Sequence, residues 1–321
     1  MSAKEYDLIC VGEAIVDMIP INHFTYKAAF GGAPMNTAVA ASKLGLKVGA
    51  LTSVGTDAFG EFLVNTLRSH GIDVSRVKRA PHRTTLAIVV KLPGGEREFF
   101  FYRKPWSLSA DTELALDETD LEYASSAEVV HVSGFILSQE PARTNVLKLI
   151  DYVKNKGTLI SFDPTFRPDV WPSVEEARKV YEQVVRKVDF LLLTLRECEV
   201  LFKTSSVREV IEIAKSMNVK LLGIKMGKRG GALTDLRRAI YMPTYEDVEV
   251  KDTVGAGDAW NAAIVYSRKV KLSLEEMLNF AHATATIKCM HVGAISGLPN
   301  PEEVVEFIKR RGKLKCRELK M

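Results

Sequence analysis

Residues 128–164, EVVHVSGFILSQEPARTNVLKLIDYVKNKGTLISFDP, place an amphipathic stretch between two apolar runs. The runs EVVHVSG and TLISFDP are short and rich in Val and Ile, which is typical of parallel strands buried on both faces. The intervening RTNVLKLIDYVKNKG has apolar residues at helical spacing and ends at Gly157, a common helix stop. The segment therefore predicts a strand, a helix and a second strand.

The same alternation runs through most of the chain. Further strand-like runs are YDLICVG, KVGALTSVG, VDFLLLT and KLLGIKMG, and further helical stretches end at Gly45 and Gly71. Ser173 and Ser273 stand where helix N-caps are expected, each three residues before a Glu, and Asn300 followed by Pro301 marks a further helix start. Repeated units of this kind predict an α/β fold with a Rossmann-like, doubly wound, mainly parallel sheet flanked by helices.

Two segments lack helical periodicity, residues 19–30 and residues 84–103. The second predicts a hairpin, since two β-rich runs flank the turn sequence PGGE at 93–96. Together the segments predict a small separate sheet beside the main one. Such an arrangement leaves a cleft near the strand carboxyl ends, where ligands bind in folds of this class.

The composition restricts the class of protein. The 321 residues are 46% hydrophobic and 26% charged, which indicates a globular chain. A net charge of +4 predicts no nucleic-acid partner, and much of the excess lies in the tail RRGKLKCRELKM, which we expect to be solvated. No apolar run approaches the ~20 residues that span a bilayer, and no signal-peptide pattern opens the chain, so we expect no membrane partner and a cytoplasmic location. The four cysteines form no CxxC pair, which argues against a zinc site.

The stretch KDTVGAGDAWNAAIVYS, at 251–267, is the strongest candidate for chemistry. Its small residues Gly255, Ala256 and Gly257 allow backbone N–H groups to approach an anion, and a helix that opens at Asp258 adds its positive dipole end. A carboxylate there is placed to accept a proton from an attacking hydroxyl during phosphoryl transfer.

The local pattern also fits an Asp N-cap after a glycine turn, which needs no catalytic role. The chain has no GxxxxGK[ST] loop, which disfavours a P-loop kinase. It has no GxGxxG after the first strand, which disfavours a classical dinucleotide site.

Two motifs together give the chain a family resemblance. DTVGAGDAW resembles the C-terminal signature of the ribokinase-like (PfkB) carbohydrate kinases, and GGAPMNTAVAASKLG at 31–45 resembles their N-terminal signature. The resemblance covers roughly residues 6 to 310, with a basic tail at 311–321. It implies one kinase domain at 1–310 whose lid is formed by about residues 17–31 and 84–104. It also implies transfer of the γ-phosphoryl group of ATP to a sugar hydroxymethyl group, with Mg²⁺.

The resemblance assigns a role to each matched residue near the sugar. Asp258 is implied as the general base. Gly255, Ala256 and Gly257 are implied as the anion hole. Sugar contacts are implied for Asp17, Gly31, Gly32, Asn36, Phe101, Arg103 and Arg167. From the residues alone, Asp17 equally fits an exposed strand end, and GGAPMN equally fits a turn into a helix.

The nucleotide side is matched less closely. The resemblance implies a magnesium-linked carboxylate at Glu197, where the family's Asn-x-x-Glu reads Thr194-x-x-Glu197 here. It also implies nucleotide contacts for Lys225, Gly227, Lys228, Gly230, Thr253, Gly255, Gly257 and His282. Asp252 and the loop at 293–294 resemble a monovalent-cation site, such as one for K⁺. Alternative interpretations remain: a helix-start Glu197, a solvated Lys228 and a core His282.

The substrate is the least determined feature. Several segments most resemble the fructokinase and 2-keto-3-deoxygluconate kinase branch. Arg103 and Arg167 can pair with a substrate carboxylate, bond neutral hydroxyls or brace the lid through Asp111 or Asp163. The apolar ring of Phe101 favours a neutral sugar, so fructose is the leading prediction. A sugar acid or polyol remains the alternative, as does an inactive sugar-binding regulatory protein. A homodimer through the lid sheet is a further expectation, since sheet edges are usually covered.

Overall fold

A computed structural model describes residues 4–22, 25–91 and 97–319. The turn predicted at 93–96 lies outside these residues. The strands are β1 Tyr6–Val11, β2 Ile15–Asn22, β3 Thr25–Gly31, β4 Val48–Leu51, β5 Ser53–Gly55, β6 Lys78–Ala80, β7 Leu86–Lys91, β8 Arg97–Tyr102, β9 Ala127–Ser133, β10 Leu159–Asp163, β11 Phe190–Thr194, β12 Leu221–Lys225, β13 Gly231–Thr234, β14 Ala239–Met242 and β15 Arg317–Glu318. The helices are α1 Ala33–Lys43, α2 Ala58–Ser69, α3 Glu118–Ser125, α4 Ala142–Asn155, α5 Val174–Val185, α6 Leu195–Phe202, α7 Val207–Ser216, α8 Ala256–Lys269, α9 Leu274–Cys289 and α10 Pro301–Arg311.

The main sheet is mostly parallel, as the sequence predicts. Within the described residues its order is β15-β14-β13-β12-β11-β10-β9-β1-β4. Neighbouring strands pair in parallel along the series β4-β1-β9-β10-β11-β12. Strands β13, β14 and β15 are antiparallel additions at one edge. The predicted α/β fold with its doubly wound sheet is confirmed.

Helices cover both faces of this sheet, which explains why its strands are continuously apolar. Along β1, Leu8 and Cys10 belong to the core on one face, whereas Ile9 and Val11 belong to the core on the other. The first core includes buried residues of α1, α2, α8, α9 and α10, and the second includes those of α3 to α7. The side chains alternate because successive Cβ atoms of a strand point to opposite faces.

The strand order places a crevice at one position in the main sheet. The chain runs from β1 outward to β4 and returns to β9 on the other side of β1. The connections that follow β1 and β9 therefore run in opposite directions across the sheet. In open α/β sheets, ligands bind at such a point, just beyond the carboxyl ends of the strands. Glu13 follows β1 there, and its Oε1 accepts a hydrogen bond from the Ser133 hydroxyl at the end of β9, at 3.2 Å.

The two segments without helical periodicity form the predicted small sheet. Its order is β3-β2-β7-β8, with β2 and β7 parallel and the two outer pairs antiparallel. A separate parallel pair joins β5 and β6. The small sheet contributes Ile15, Asp17, Phe99 and Phe101 to a cavity that it shares with the main sheet.

The end of the chain is mostly exposed, as expected, but part of it pairs with the main sheet. Residues Arg317 and Glu318 form β15, which pairs with β14 at Tyr241 and Ile240. The Leu319 N–H also donates to the carbonyl of Ala239, the first residue of β14, at 2.8 Å. Arg317 and Glu318 are both exposed, so the expected solvation is confirmed, whereas their pairing was not predicted because the sequence pattern did not reveal the unpaired sheet edge of β14.

No helix in the described part of the chain combines the length and apolar character needed to cross a bilayer.

Candidate active site

A cavity of about 600 Å³ lies between the small sheet and the carboxyl ends of the main-sheet strands. A second cavity of about 610 Å³ shares Phe99, Arg167 and Glu197 with it. Their size and position suit a small polar ligand beside a larger one. The predicted site residues that line the first cavity are Asp17, Gly32, Asn36, Phe101, Arg167, Thr194, Glu197, Lys225, Thr253, Gly255, Gly257 and Asp258.

The glycine-rich loop opens α8 into this cavity. The helix begins at Ala256, so Asp258 is its third residue and not its first, as the sequence had suggested. Gly255 is the N-cap with φ 78°, and a Cβ there would collide with the Ala294 carbonyl oxygen. Only glycine satisfies both the positive φ and this close approach.

The amides of the loop are not equivalent. The Ala256 N–H donates to the Thr253 carbonyl at 3.2 Å, so it is engaged inside the turn. Gly255 and Gly257 line the cavity and Ala256 does not. Gly255 and Gly257 therefore lie at the cavity-facing end of α8, where the first N–H groups of a helix and its dipole favour an anion, and the anion hole over Gly255, Ala256 and Gly257 stays a prediction.

Asp258 presents a partly buried carboxylate to the cavity. Its Oδ2 accepts a hydrogen bond from Asn36 Nδ2 at 2.8 Å, which fixes α1 to α8. Burial raises the pKa of Asp258 to about 6, and the Asp163 carboxylate adds to that rise, while Asn36 and Lys225 oppose it. A carboxylate with this pKa is ionised near neutral pH yet is a stronger base than an ordinary aspartate.

A buried charge cluster lies beside Asp258. Lys225 Nζ lies 2.5 Å from Asp163 Oδ2 and 3.1 Å from Asn261 Oδ1. Asn261 Nδ2 donates to the same Asp163 oxygen at 2.6 Å. Although burial opposes it, Asp163 and Glu197 raise the pKa of Lys225, so this ammonium remains charged. A Cβ on Gly257 would be 3.6 Å from Lys225 Nζ, which places the positive charge against the anion loop.

Glu197 both caps the start of α6 and lines the cavity. It forms a capping box with Thr194 at the start of α6, and its Oε1 accepts from the Phe166 N–H at 3.0 Å. Glu197 thus lies at a helix start, but it is buried and not at the surface as that interpretation required, and Glu197 and Thr194 also line the cavity. Burial raises the pKa of Glu197, and the Asp163 carboxylate contributes to that rise.

The proposed sugar end is built around Asp17. Gly31 faces this residue, since a Cβ on Gly31 would be 2.6 Å from Asp17 Oδ2. Gly32 has φ 103° and a Cβ there would collide with the Glu13 carbonyl oxygen. The two glycines therefore let β3 pass close to Asp17 and turn into α1.

Arg103 does not reach the cavity, which corrects the predicted sugar contact. Its guanidinium is fully buried, with Nε 2.9 Å and Nη2 2.7 Å from Asp111 Oδ2, and Nη1 2.6 Å from Ser138 Oγ. It also lies over the Phe135 ring, 4.4 Å from the centroid. The alternative of a brace through Asp111 is confirmed. Arg167, in contrast, lines the cavity and lies over Phe99.

The remaining predicted nucleotide residues lie outside the cavity. Gly227 and Lys228 belong to a short 3₁₀ turn that ends at Gly230. His282 is buried on α9, where a Cβ on Gly231 would be 2.9 Å from its Cε1. Burial lowers the pKa of His282 to about 4, so its ring is neutral. The core interpretation of His282 is confirmed, and the nucleotide roles of these residues stay predictions.

Sequence reasoning missed the cavity residues Glu13 and Phe99, and it missed Asn261, which lies buried behind the cavity beside Lys225. Glu13 is buried, one of its oxygens accepts from the Ala33 N–H at 3.1 Å, and burial raises its pKa to about 8. A carboxylic acid directly after a buried strand was an available signal. Asn261 lies one turn after Asp258 on α8, and that helical spacing was also visible in the sequence.

Comparison with known proteins agrees with this geometry. The model of the pfkB family carbohydrate kinases matches residues 4–301. Fructokinase-1 of Zea mays is 34% identical over 97% of this chain and 100% of its own length.

Solved structures of the same kind superpose over nearly the whole chain. A fructokinase of Xylella fastidiosa with bound ATP has a TM-score of 0.84 and 26% identity, covering 94% of this chain and 98% of its own. A fructokinase of Vibrio cholerae bound to fructose, ADP and calcium ion has a TM-score of 0.84 and 28% identity, with the same coverage. With the family model spanning most of its length, this chain belongs to the pfkB family of carbohydrate kinases.

Proposed function

We propose that this sugar kinase transfers the γ-phosphoryl group of ATP to a hydroxymethyl group of D-fructose. The observation that carries the proposal is the Asp258 carboxylate, held by Asn36 at the N-terminus of α8 inside a cavity between two sheets. This supports a mechanism in which a proton acceptor and an anion-stabilising helix end act at one point. Because ATP is supplied inside cells, the proposal includes a cytoplasmic location.

The reaction follows from these positions. The hydroxyl oxygen attacks the γ-phosphorus as its proton passes to Asp258, and the bond from that phosphorus to the β–γ bridging oxygen breaks to release ADP. The N–H groups around Gly255 and Gly257 stabilise charge on the migrating phosphoryl group. Lys225, fixed by Asp163 and Asn261, adds a positive charge beside the loop.

Magnesium fits the chemistry of this end of the cavity. Glu197 and Asp163 present carboxylate groups there, and Mg²⁺ is usually held by one or two carboxylates, waters and substrate phosphates. The described residues contain no group of three or more His, Cys, Asp or Glu side chains that could hold a metal. We therefore propose that Glu197 would hold Mg²⁺ through water when the ion is bound together with ATP, and that the ion would supply positive charge to the phosphates.

The sugar is proposed from the residues that line its end of the cavity. Asp17 and Asn36 offer hydroxyl partners, and Phe99 and Phe101 offer apolar ring faces. Of the two arginines that could clamp a carboxylate, Arg103 is committed to Asp111. This favours a neutral ketohexose over 2-keto-3-deoxygluconate, as do the fructokinase relatives.

Measurement of ADP release with fructose, glucose, ribose, 2-keto-3-deoxygluconate and fructose 6-phosphate tests the substrate. We expect the highest kcat/KM with fructose. A higher value with the sugar acid, together with selective loss of that activity in Arg167→Met, would assign Arg167 as a carboxylate clamp. The exposed Arg208→Met is the matched control. Sugar binding without ADP formation would instead indicate a regulatory protein.

The small sheet is proposed as a lid that closes over the sugar, since water must be excluded from ATP during transfer.

The edges of the small sheet within the described residues are β3 and β8, and Phe100 and Tyr102 on β8 are 46% and 62% exposed. We propose that a second copy of the chain covers this face. Light scattering should give a dimer mass, and Tyr102→Glu should shift it toward the monomer.

A further inference from the structure

Lys288 is a fully buried lysine behind the anion loop. It lies near the end of α9 with no exposed surface, and its Nζ donates to the Asp252 carbonyl at 3.0 Å. Lysine is almost never fully buried without a partner, because burial of an ammonium group costs free energy. Its position against the loop that holds the catalytic aspartate therefore calls for a functional reason.

The loop is tied to the end of α9 around this lysine. The Lys251 and Asp252 amides donate to the Cys289 carbonyl at 2.8 and 3.1 Å. On the other side, Gly255 packs directly against Ala294. Lys288 is thus enclosed between α9 and the first residues of the 252–258 segment, where its charge acts on the anion loop from behind.

Each of the three Asp252 oxygens accepts a hydrogen bond. Its Oδ1 accepts from the Val254 N–H at 2.9 Å, its Oδ2 accepts from the Gly293 N–H at 2.9 Å, and its carbonyl accepts from Lys288. A monovalent cation on the same carbonyl oxygen would lie beside the Lys288 ammonium, and the two like charges would repel each other. The residues implied for a K⁺ site therefore do not fit an added cation.

We propose that the Lys288 ammonium supplies the positive charge behind the anion loop, so that the enzyme works without a monovalent cation. An ammonium is a compact point charge with three donors, which suits carbonyl oxygens that would otherwise bind a cation. Lys288 touches neither sugar nor nucleotide and acts as a positioning residue for the loop. Only the expected effect on kcat rests on the proposed phosphoryl transfer.

The first experiment uses the unmodified protein. Fructose phosphorylation is measured in potassium, sodium and choline chloride at equal ionic strength, together with the midpoint of thermal unfolding. We expect kcat and the midpoint to be the same in all three salts. Activation by K⁺ by about tenfold or more, as expected if the cation supplied anion stabilisation, would overturn the proposal.

The second experiment creates a cation requirement. Lys288→Ala removes the ammonium and leaves space, whereas Lys288→Met removes it and fills the space. We expect both to lower kcat by about tenfold, and only Lys288→Ala to be rescued by K⁺, NH₄⁺ or methylammonium. The exposed Lys251→Met, next to Asp252 in the chain, should match the unmodified protein in every salt. If kcat falls equally in both Lys288 variants and no cation rescues Lys288→Ala, then Lys288 has only a packing role and the proposal is overturned.

Failure of the Lys288 proposal can be distinguished from failure of the proposed function. If no sugar is phosphorylated, the kinase proposal fails, yet K⁺-specific stabilisation of Lys288→Ala against heat still tests the cation replacement. If Lys288→Ala does not fold, the salt series on the unmodified protein decides by itself.

Discussion

Replacement of Asp258 by Asn tests the central claim about catalysis. Asn has nearly the same volume and keeps an oxygen that can accept from Asn36 Nδ2, which now lies 2.8 Å from Asp258 Oδ2. The cavity should therefore keep its shape while the base is lost. General bases contribute about 10²–10⁴ in rate, so kcat should fall by at least ~100-fold, or roughly 3 kcal/mol, with little change in sugar affinity.

The same substitution should make the folded protein more stable. Burial raises the pKa of Asp258 from 3.8 to about 6, so the ionised form is disfavoured in the folded state. A raised acid pKa gives a contribution to stability that is full below pH 3.8 and is lost as pH rises through about 6. At pH 7.5 Asp258→Asn should therefore gain up to about 3 kcal/mol in unfolding free energy, and the gain should vanish toward pH 4.

Three measurements on one preparation decide this prediction: coupled ADP release, sugar binding by calorimetry and urea unfolding at several pH values. The exposed Glu306→Gln on α10 is the control for a change from carboxylate to amide, and it should alter none of them. A kcat within threefold of the unmodified enzyme would remove Asp258 from the role of base, and lost stability at pH 7.5 would refute the account of its pKa.

Three further predictions follow from the same geometry. The kcat/KM for fructose should fall about tenfold per pH unit below about pH 6, as Asp258 is protonated, and a flat profile down to pH 5 would contradict this. Gly255→Ala should lower kcat by at least ~10-fold, because a Cβ collides with the Ala294 carbonyl at φ 78°, whereas the uncrowded Gly45→Ala should leave kcat unchanged. Arg103→Met should lower the unfolding free energy by about 3–5 kcal/mol in urea denaturation, because Asp111 is left buried without its cation. The fructose KM of the folded Arg103→Met enzyme should not change, and a large rise in that KM would restore Arg103 as a sugar contact.

Most of the fold could be predicted from local pattern. The apolar runs before residue 226 became β1, β4, β5, β9, β10, β11 and β12, and Gly45, Gly71 and Gly157 follow helices with φ of 87°, 72° and 73°. These signals are local. A strand buried on both faces requires apolar residues along its length, and a positive φ after a helix favours glycine, so each element carries its own pattern. The edge pairing of β15 was missed because a short charged strand carries no such imprint.

The sequence by itself determined the class of fold and the carboxylate at Asp258, because hydrophobic periodicity and a glycine-rich helix start are written in adjacent residues. Tertiary structure alone decided how distant groups pair: Arg103 with Asp111, Lys225 with Asp163 and Lys288 with the Asp252 carbonyl. Each of these contacts joins residues from different elements, and whether a charge faces a ligand or a buried partner depends on packing that no local pattern encodes.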